Sequence, residues 1–170
     1  MTPSLPGPGS ADGVPEHHAG DAFVACACGS RHWGRFGAAG LLLVRRPEAP
    51  QVLLQHRALW SDQGGTWAVP GGALMPGEDP VAGALREAGE EAGVDPRGVA
   101  VVGRHVLDHA DWRYTTVVAT VSGPQRPTPT DHESLAIVWV DVAAVPDLPL
   151  LGAFRTAWPV LLDILADGVL

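Results

Sequence analysis

Residues 71–93 read GGALMPGEDPVAGALREAGEEAG and form the most informative stretch of the chain. Asp79 followed by Pro80 is a typical helix start, because a carboxylate caps unpaired backbone N–H groups and proline suits the first helical position. Good helix formers follow from Val81 to Ala92, and Gly93 is a typical helix end. The sequence therefore predicts one central helix that follows a glycine-rich turn.

At about 100° per residue, this helix has an acidic face and an apolar face. Val81, Leu85, Ala88 and Ala92 form the apolar face, and the acidic face carries Glu87, Glu90 and Glu91. An ordinary solvated helix has the same pattern, with Arg86 pairing with Glu90 at i, i+4 spacing. Clustered carboxylates also suit Mg²⁺ or Mn²⁺, which prefer oxygen ligands. The helix alone leaves both interpretations open.

Strands are predicted on both sides of the central helix, from apolar runs that end at glycine, proline or polar residues. A hairpin is expected in the second half, with its turn at residues 109–111, and an amphipathic helix closes the chain. The pattern predicts an α/β (α+β) fold in which a mixed β-sheet lies between α-helices. The predicted strands are 37–44, 52–56, 99–107, 114–121 and 135–140, and the closing helix is 154–165. Residues 67–72 form a short apolar piece that Pro and two glycines end, so the chain is expected to turn there.

The N-terminal part differs in composition from the rest. Residues 1–20 are rich in Pro, Gly and Ser and have few large apolar side chains, so they bury too little surface to offset their ordering entropy. A chain of 170 residues is long enough for one buried core. We predict a flexible N-terminal segment at residues 1–35 and one domain at residues 36–170.

Charge and hydropathy exclude several classes of partner. A formal net charge of -8 disfavours stable nucleic-acid binding, which needs clustered Lys and Arg. No apolar run approaches the ~20 residues that span a bilayer, and the first residues lack the features of a secretory signal, so no membrane association is expected. With only two cysteines, the chain is predicted to be cytoplasmic with reduced thiols.

Those two cysteines, Cys26 and Cys28, lie near His32, with His17 and His18 upstream. Cys and His are the usual ligands of a structural zinc ion. However, a Cys-x-Cys pair lacks the usual two to four intervening residues, and there is no second cysteine pair. The spacing therefore favours unligated thiols.

Seven positions together resemble the complete signature of the Nudix hydrolase family. The resemblance extends from about Phe36 to the C-terminus and implies the Nudix fold. One departure is Ala88, where the family usually has a larger aliphatic residue. Because Ala88 is still apolar, we expect looser packing and intact chemistry. The signature residues are Gly72, Glu78, Arg86, Glu87, Glu90, Glu91 and Gly93.

The resemblance implies a Mg²⁺ or Mn²⁺ cofactor and assigns roles within the signature. The three helix glutamates at 87, 90 and 91 are expected to be metal ligands or the base that activates water. The backbone carbonyl of Gly72 is expected to complete the coordination. Arg86 is expected to orient the carboxylates by bidentate pairing. Glu78 is expected to support the loop and the Arg86 network on the substrate side.

Further site residues are expected outside the signature. Some family members take another carboxylate from a late loop, and Glu133 is the best candidate for it, with Asp131 as its competitor. Both could equally be ordinary exposed acids. Arg57 is a candidate phosphate contact, or it only ends a strand. Trp112 is the preferred candidate for stacking on a base, although most of the aromatic residues are expected in the core.

The implied activity is hydrolysis of a nucleoside diphosphate linked to another group. We expect a small-molecule nucleotide substrate, and the leading prediction is a nucleoside triphosphate, oxidised deoxyguanosine triphosphate included, cleaved by water to monophosphate and pyrophosphate. One alternative is hydrolysis of ADP-ribose or a nucleotide sugar, and another is a non-catalytic, regulatory nucleotide-binding domain. A homodimer is left open, because the closing helix packs either on its own domain or on a partner.

Overall fold

The computed structural model describes residues 18–130 and 132–168. Nine strands and two α-helices are described in these residues, together with a 3₁₀ helix at Val142–Asp147. No helix in this part of the chain has the length and apolar character needed to cross a bilayer. In chain order the elements are β1 (Phe23–Ala25), β2 (Arg31–Trp33), β3 (Ala38–Arg45), β4 (Gln51–Arg57), β5 (Trp67–Ala68), β6 (Gly71–Ala73), α1 (Pro80–Ala92), β7 (Val99–Asp108), β8 (Arg113–Val121), β9 (Ser134–Asp141) and α2 (Gly152–Gly168).

Strand β3 is central to the main sheet. It runs parallel to β8, with Leu41 opposite Val117, and antiparallel to both β6 and β4. Strands β9 and β5 pair with β4, and β7 pairs with β8 as an antiparallel hairpin. One parallel pairing among antiparallel ones makes the sheet mixed, which confirms the prediction.

Both faces of the sheet are covered by a helix. On one face, Leu41 and Leu43 pack with Ala84, Ala88 and Ala92 of α1. On the other, Leu42 and Val44 pack with a group from α2 that comprises Phe154, Trp158, Leu161 and Leu165. This explains why β3 is almost continuously apolar, since a strand that is buried on both faces does not alternate. The predicted helical layers are confirmed.

Helix α1 begins and ends as its sequence predicts. The side chain of Asp79 accepts hydrogen bonds from the N–H groups of Val81, at 2.9 Å, and Ala82, at 3.3 Å. Gly93 has a φ of 64°, a left-handed conformation that favours glycine, and its N–H donates to the carbonyl oxygen of Gly89 at 3.1 Å. These caps fix which side chains of the helix face the sheet.

The predicted strands are all present with small shifts in their ends. The short apolar piece at residues 67–72, where a turn was expected, contains the two short strands β5 and β6 with a break between them. The break lies at Pro70, which has no N–H to donate to a sheet ladder. Its carbonyl oxygen instead accepts a hydrogen bond from the N–H of Leu41 at 2.9 Å. The break directs β6 along the start of β3, where it carries Gly71 and Gly72 towards α1.

The predicted flexible segment, residues 1–35, contains a β-hairpin that the sequence analysis missed. Strands β1 and β2 pair antiparallel, with Phe23 opposite Trp33. Gly20 is buried, and its carbonyl oxygen accepts from the N–H of Arg35 at 2.8 Å. The strands are three residues long and lack a buried apolar run, so periodicity gives no signal for them. Residues 1–17 lie outside the described part, and the domain boundary stays a prediction.

Candidate functional site

The guanidinium of Arg86 lies at the centre of a cluster of carboxylates. Its Nε and Nη2 atoms donate to Glu78 at 2.8 and 2.9 Å, which is a bidentate pair. Its Nη1 atom donates to Glu87 at 2.7 Å and to Glu90 at 3.0 Å. Nη2 also donates to the backbone carbonyl oxygen of Ala73 at 3.0 Å. One cation therefore holds three acidic side chains and the end of β6 in fixed positions.

Glu78 ties the loop before α1 to the helix. One of its carboxylate oxygens accepts from the N–H of Met75 at 2.9 Å, in addition to the bonds from Arg86. The side chains of Glu78 and Arg86 are 14% and 18% exposed, so solvent screens this pair only weakly. The hydrogen bonds from Arg86 hold the pKa of Glu78 below its usual range, although burial opposes them. Glu78 thus makes the supporting contacts expected of it.

Glu87 is held against the backbone of Gly72. A methyl group at Gly72 would lie 2.5 Å from the Oε2 atom of Glu87, so only glycine leaves room for this carboxylate. Burial raises the pKa of Glu87, and Glu90 raises it further, while Arg86 lowers it. The carboxylate is therefore costly to ionise without an additional cation.

The other two glutamates of the cluster differ in environment. The side chain of Glu90 is 47% exposed, whereas Glu91 is buried. An oxygen of Glu91 accepts from the N–H of Gly71 at 3.1 Å, which places it beside β6. On the acidic face of α1, Glu90 is thus exposed to solvent, whereas Glu91 is buried beside the sheet.

The donor atoms of this cluster fit a hard divalent cation. In the described contacts, Arg86 binds Oε1 of Glu87 and Oε2 of Glu90, so each of these carboxylates has a second oxygen for another cation. Three carboxylates contact the single guanidinium of Arg86, which leaves an excess of negative charge next to the backbone carbonyl of Ala73. Carboxylate and carbonyl oxygens are the ligands that Mg²⁺ and Mn²⁺ prefer.

The late loop that carries Glu133 contacts the end of α1. The N–H of Thr128 donates to the carbonyl of Ala92 and that of Thr130 to Glu91, both at 3.1 Å, and the Thr130 hydroxyl donates to the carbonyl of Glu90. Glu133 is exposed, and its own carbonyl oxygen accepts from the N–H of Ala58 at 2.8 Å. The loop therefore comes near the cluster, and a catalytic role for Glu133 stays a prediction. Asp131 lies outside the described residues.

The two predicted substrate contacts have defined positions. Arg57 donates from Nε and Nη2 to the carbonyl oxygen of Asp62, at 3.3 and 3.0 Å, which folds the loop after β4. Trp112 is only 8% exposed and stacks on the ring of His32 at 4.3 Å. Its indole N–H donates to the carbonyl of Gly34 at 3.1 Å. Trp112 thus packs against the N-terminal hairpin. Base stacking by Trp112 and a phosphate contact by Arg57 stay predictions.

Tyr114 is a neighbour of the candidate site that no pattern in the sequence singles out. Its hydroxyl lies above Gly40, where an added methyl group would come within 2.2 Å of it. Burial raises the pKa of Tyr114, and the nearby charges of Glu91 and Glu87 raise it further, so the phenol stays neutral. Only the parallel pairing of β3 with β8 brings Tyr114 here, and no sequence pattern shows that pairing.

Comparison with known proteins identifies the family. A model of the NUDIX domain matches residues 34–161, so the chain belongs to the Nudix family, as its signature predicts. A solved structure of the Nudix hydrolase RenU from M. smegmatis is 42% identical with a TM-score of 0.80, and the match covers 87% of this chain and 96% of that chain. The shared architecture confirms the predicted fold.

Two curated relatives are also similar in sequence. The chain is 48% identical over 149 residues to a "Nucleoside triphosphate pyrophosphatase/Nudix hydrolase fusion protein" of Bifidobacterium longum, a match that covers 84% of this chain but 31% of that protein. It is 46% identical over 147 residues to a Mycobacterium tuberculosis protein named "Putative 8-oxo-dGTP diphosphatase 3", covering 82% of this chain and 67% of that protein. The chain is therefore a Nudix hydrolase with relatives named for pyrophosphate-bond cleavage.

Proposed function

We propose that this chain hydrolyses a nucleoside triphosphate, including oxidised forms such as 8-oxo-dGTP, to the monophosphate and pyrophosphate. The observation that carries the proposal is the carboxylate cluster of Glu87, Glu90 and Glu91. Arg86 binds the first two, and the third accepts a hydrogen bond from the strand residue next to Gly72. The substrate class is supported by the name of the Mycobacterium tuberculosis relative. The cytoplasmic location and the homodimer stay predictions.

The cluster residues would hold Mg²⁺ or Mn²⁺ through Glu87, Glu90, Glu91 and the carbonyl of Gly72. When bound, such a cation screens the diphosphate and lowers the pKa of the attacking water. Arg86 keeps the carboxylates in place by hydrogen bonds at 2.7 and 3.0 Å, so they do not reorganise during the reaction. A glutamate of the cluster accepts the proton that the attacking water loses.

A divalent cation would explain how this acidic chain binds an anionic substrate. With Arg86 engaged by its carboxylates, the cluster alone would repel a triphosphate. Divalent charge reverses that potential, because a bound cation is the largest local charge in such a site. Arg57, which lies close enough to Tyr114 to lower its pKa, is the side chain that we assign to a phosphate oxygen.

A substrate panel tests this proposal. The full chain is incubated with the common nucleoside triphosphates, 8-oxo-dGTP, ADP-ribose, nucleotide sugars and dinucleoside polyphosphates, with Mg²⁺, Mn²⁺ or a chelator. We expect pyrophosphate release to be fastest with a triphosphate and absent with chelator. Monophosphate products, detected by coupled phosphatase, would show which bond is cut.

Each other result has a definite meaning. Faster turnover of ADP-ribose or a nucleotide sugar would overturn the triphosphate assignment and leave the hydrolase intact. Binding of nucleotides without turnover, with either metal, would support the regulatory alternative instead. Equal turnover in chelator would contradict a role for a divalent cation.

A further inference from the structure

Two cysteines and two histidines meet at a point that the proposed hydrolysis does not use. Cys26, Cys28 and His32 belong to the hairpin of β1 and β2, and His109 lies in the turn between β7 and β8. One ligand atom from each of these four side chains lies within 4.8 Å of all the others. His18 is not part of this group, and His17 lies outside the described residues. The group is called the Cys/His cluster below.

Hydrogen bonds between the two turns hold the cluster together. The N–H of Cys26 donates to the carbonyl of Ser30 at 3.0 Å, which closes the hairpin turn. The N–H of Ala27 donates to the carboxylate of Asp111 at 2.9 Å, which joins that turn to the one that carries His109. The thiol of Cys26 lies 3.7 Å from the carbonyl oxygen of His109. These contacts between the two turns bring the four residues together.

The side chains are also oriented by packing. The ring of His32 stacks on Trp112, with 4.3 Å between centroids and 14° between planes. The rings of His32 and His109 meet edge to face, with centroids 4.9 Å apart. The indole N–H of Trp112 donates to the carbonyls of Trp33 and Gly34 at 3.2 and 3.1 Å. Buried Trp112 thus orients the ring of His32, which in turn contacts the ring of His109.

The chemistry of the cluster is that of a soft-metal site. The sulfur of Cys28 lies 3.1 Å from Nε2 of His32, and the N–H of Cys28 donates to the sulfur of Cys26 at 3.4 Å. Cysteine sulfur and imidazole nitrogen are the ligands that Zn²⁺ takes in structural sites. The thiolate is the form of cysteine that binds metals.

One atom of the cluster is in an unfavourable position without a ligand. Nδ1 of His109 is buried, and no hydrogen-bond partner is found for it in the described residues. A buried polar atom that lacks a partner has lost its hydrogen bonds to water without compensation. Coordination of Nδ1 to a metal compensates for that loss.

We propose that Cys26, Cys28, His32 and His109 bind one structural Zn²⁺. Tetrahedral zinc with two sulfur and two nitrogen ligands needs ligand atoms about 3.3–3.8 Å apart, so the present spread must contract by about 1 Å. Four protein ligands leave no position for water, which makes the ion structural and not catalytic. Mg²⁺ prefers oxygen donors, so the proposed hydrolytic site and the zinc site select different metals.

The Cys-x-Cys spacing favours unligated thiols when only residues close in sequence are counted. The structure supplies the missing fourth ligand, His109, from a distant turn. A zinc ion here would cross-link the N-terminal hairpin to the turn between β7 and β8. That turn leads directly into β8, the strand that carries Tyr114. The ion would fix the hairpin, and none of its four ligands belongs to the carboxylate cluster.

The test is the zinc content of the full chain, measured by inductively coupled plasma mass spectrometry. The chain is purified from zinc-supplemented cells without a metal-affinity tag. We expect about one Zn²⁺ per chain, and at least a tenfold lower content in Cys28→Ser and in His109→Asn. His105→Asn makes the same change on β7, outside the cluster, and should keep its zinc. Retention of zinc by both ligand variants would overturn the assignment.

A second measurement stays informative if the ligand variants fail to fold. Co²⁺ added to metal-free wild-type chain should give the visible absorption of tetrahedral cobalt bound to thiolate, and Zn²⁺, but not Mg²⁺, should abolish it. Addition of Zn²⁺ to the metal-free chain should also raise its melting temperature. No such absorption, or a Cys26–Cys28 disulfide in the intact protein's mass, would contradict the proposal. Neither result bears on the substrate panel, so the two proposals fail separately.

Discussion

At the scale of single residues, the ion pair of Arg86 with Glu78 is the contact that orders the proposed hydrolytic site. The pair is bidentate and mostly buried, and Glu78 also accepts from the backbone of Met75. Its geometry is therefore fixed by three hydrogen bonds before any ligand arrives. Arg86 can act as a positioning residue because its partner Glu78 is itself held by the loop.

We expect Glu78→Gln to destabilise the protein at pH 7 by about 1–3 kcal/mol, because it removes one partner of a charged hydrogen-bonded pair. The pKa of Glu78 is lowered in the folded protein, so its stabilisation is present above the usual pKa of a glutamate and is lost as pH falls through the depressed value. Urea unfolding of wild type and variant at pH 7 and at acidic pH measures the difference, which should shrink on acidification.

Glu48→Gln is the matched control for this prediction, since Glu48 is exposed in the turn between β3 and β4. It should change stability by no more than about 0.5 kcal/mol at either pH. A Glu78→Gln effect that is equal at both pH values would show that lost packing, and not lost charge, explains the destabilisation.

The sequence predicts some residues of the site and misses others for a clear reason. The signature marks Gly72, Glu78 and Arg86 because their spacing along a loop and one helix is fixed. The bond between Gly71 and Glu91 and the approach of Tyr114 depend on how β6 and β8 pair with β3. Such pairing is set by tertiary packing, which a local pattern does not contain.

At the scale of elements, helix α1 contains two inner glycines with opposite surroundings. A methyl group added to Gly83 would lie 2.4 Å from Leu74 and 3.1 Å from the carboxylate of Glu78. A methyl group added to Gly89 would meet only the carbonyl oxygen of Val94, at an ordinary 3.6 Å. The same substitution should therefore have opposite effects at the two positions.

We expect Gly89→Ala to stabilise the protein by about 0.5–1 kcal/mol, because alanine loses less backbone entropy in a helix. Gly83→Ala should destabilise it by about 1–3 kcal/mol, because the packed neighbours must shift. Urea unfolding of the two variants beside wild type provides the measurement. If both variants changed the free energy of unfolding in the same direction, α1 would not pack on its preceding loop in this way.

Among the elements, long buried runs are predicted well and short strands are not. Strand β3 is recognised because it is apolar over nearly its full length, and α1 because its caps and its two faces agree. Strands β1 and β2 have three residues each and expose Phe23 and Trp33 at 44% and 40%. They exist because of contacts with Trp112 and with residues in the later turn, which lie far away in sequence.

At the scale of the whole molecule, the main sheet has two different faces. Its α1 face carries the carboxylate cluster, and the α2 face carries an apolar core built from Phe154, Trp158, Leu161 and Leu165. The proposed zinc site joins the N-terminal hairpin to the β7–β8 turn. The order of helices and strands predicts the layered fold, but it does not predict which turns meet at the rim of the sheet.

We expect the whole protein to hydrolyse its substrate only when the cluster on α1 holds a divalent cation. Glu90 is the best residue to probe, because its side chain is half exposed and faces away from the core. Its bond to Arg86 is an i, i+4 pair, so removing the charge should cost no more than about 0.5 kcal/mol of stability. A loss of activity would then report on chemistry and not on folding.

The decisive measurement is turnover of the best panel substrate by Glu90→Gln across a Mg²⁺ titration, with Glu48→Gln as control. We predict that Glu90→Gln lowers kcat about 100-fold or more, with nearly unchanged urea unfolding, while the control keeps wild-type turnover. Wild-type turnover by Glu90→Gln at every Mg²⁺ concentration would contradict the assignment of this cluster as the catalytic metal site.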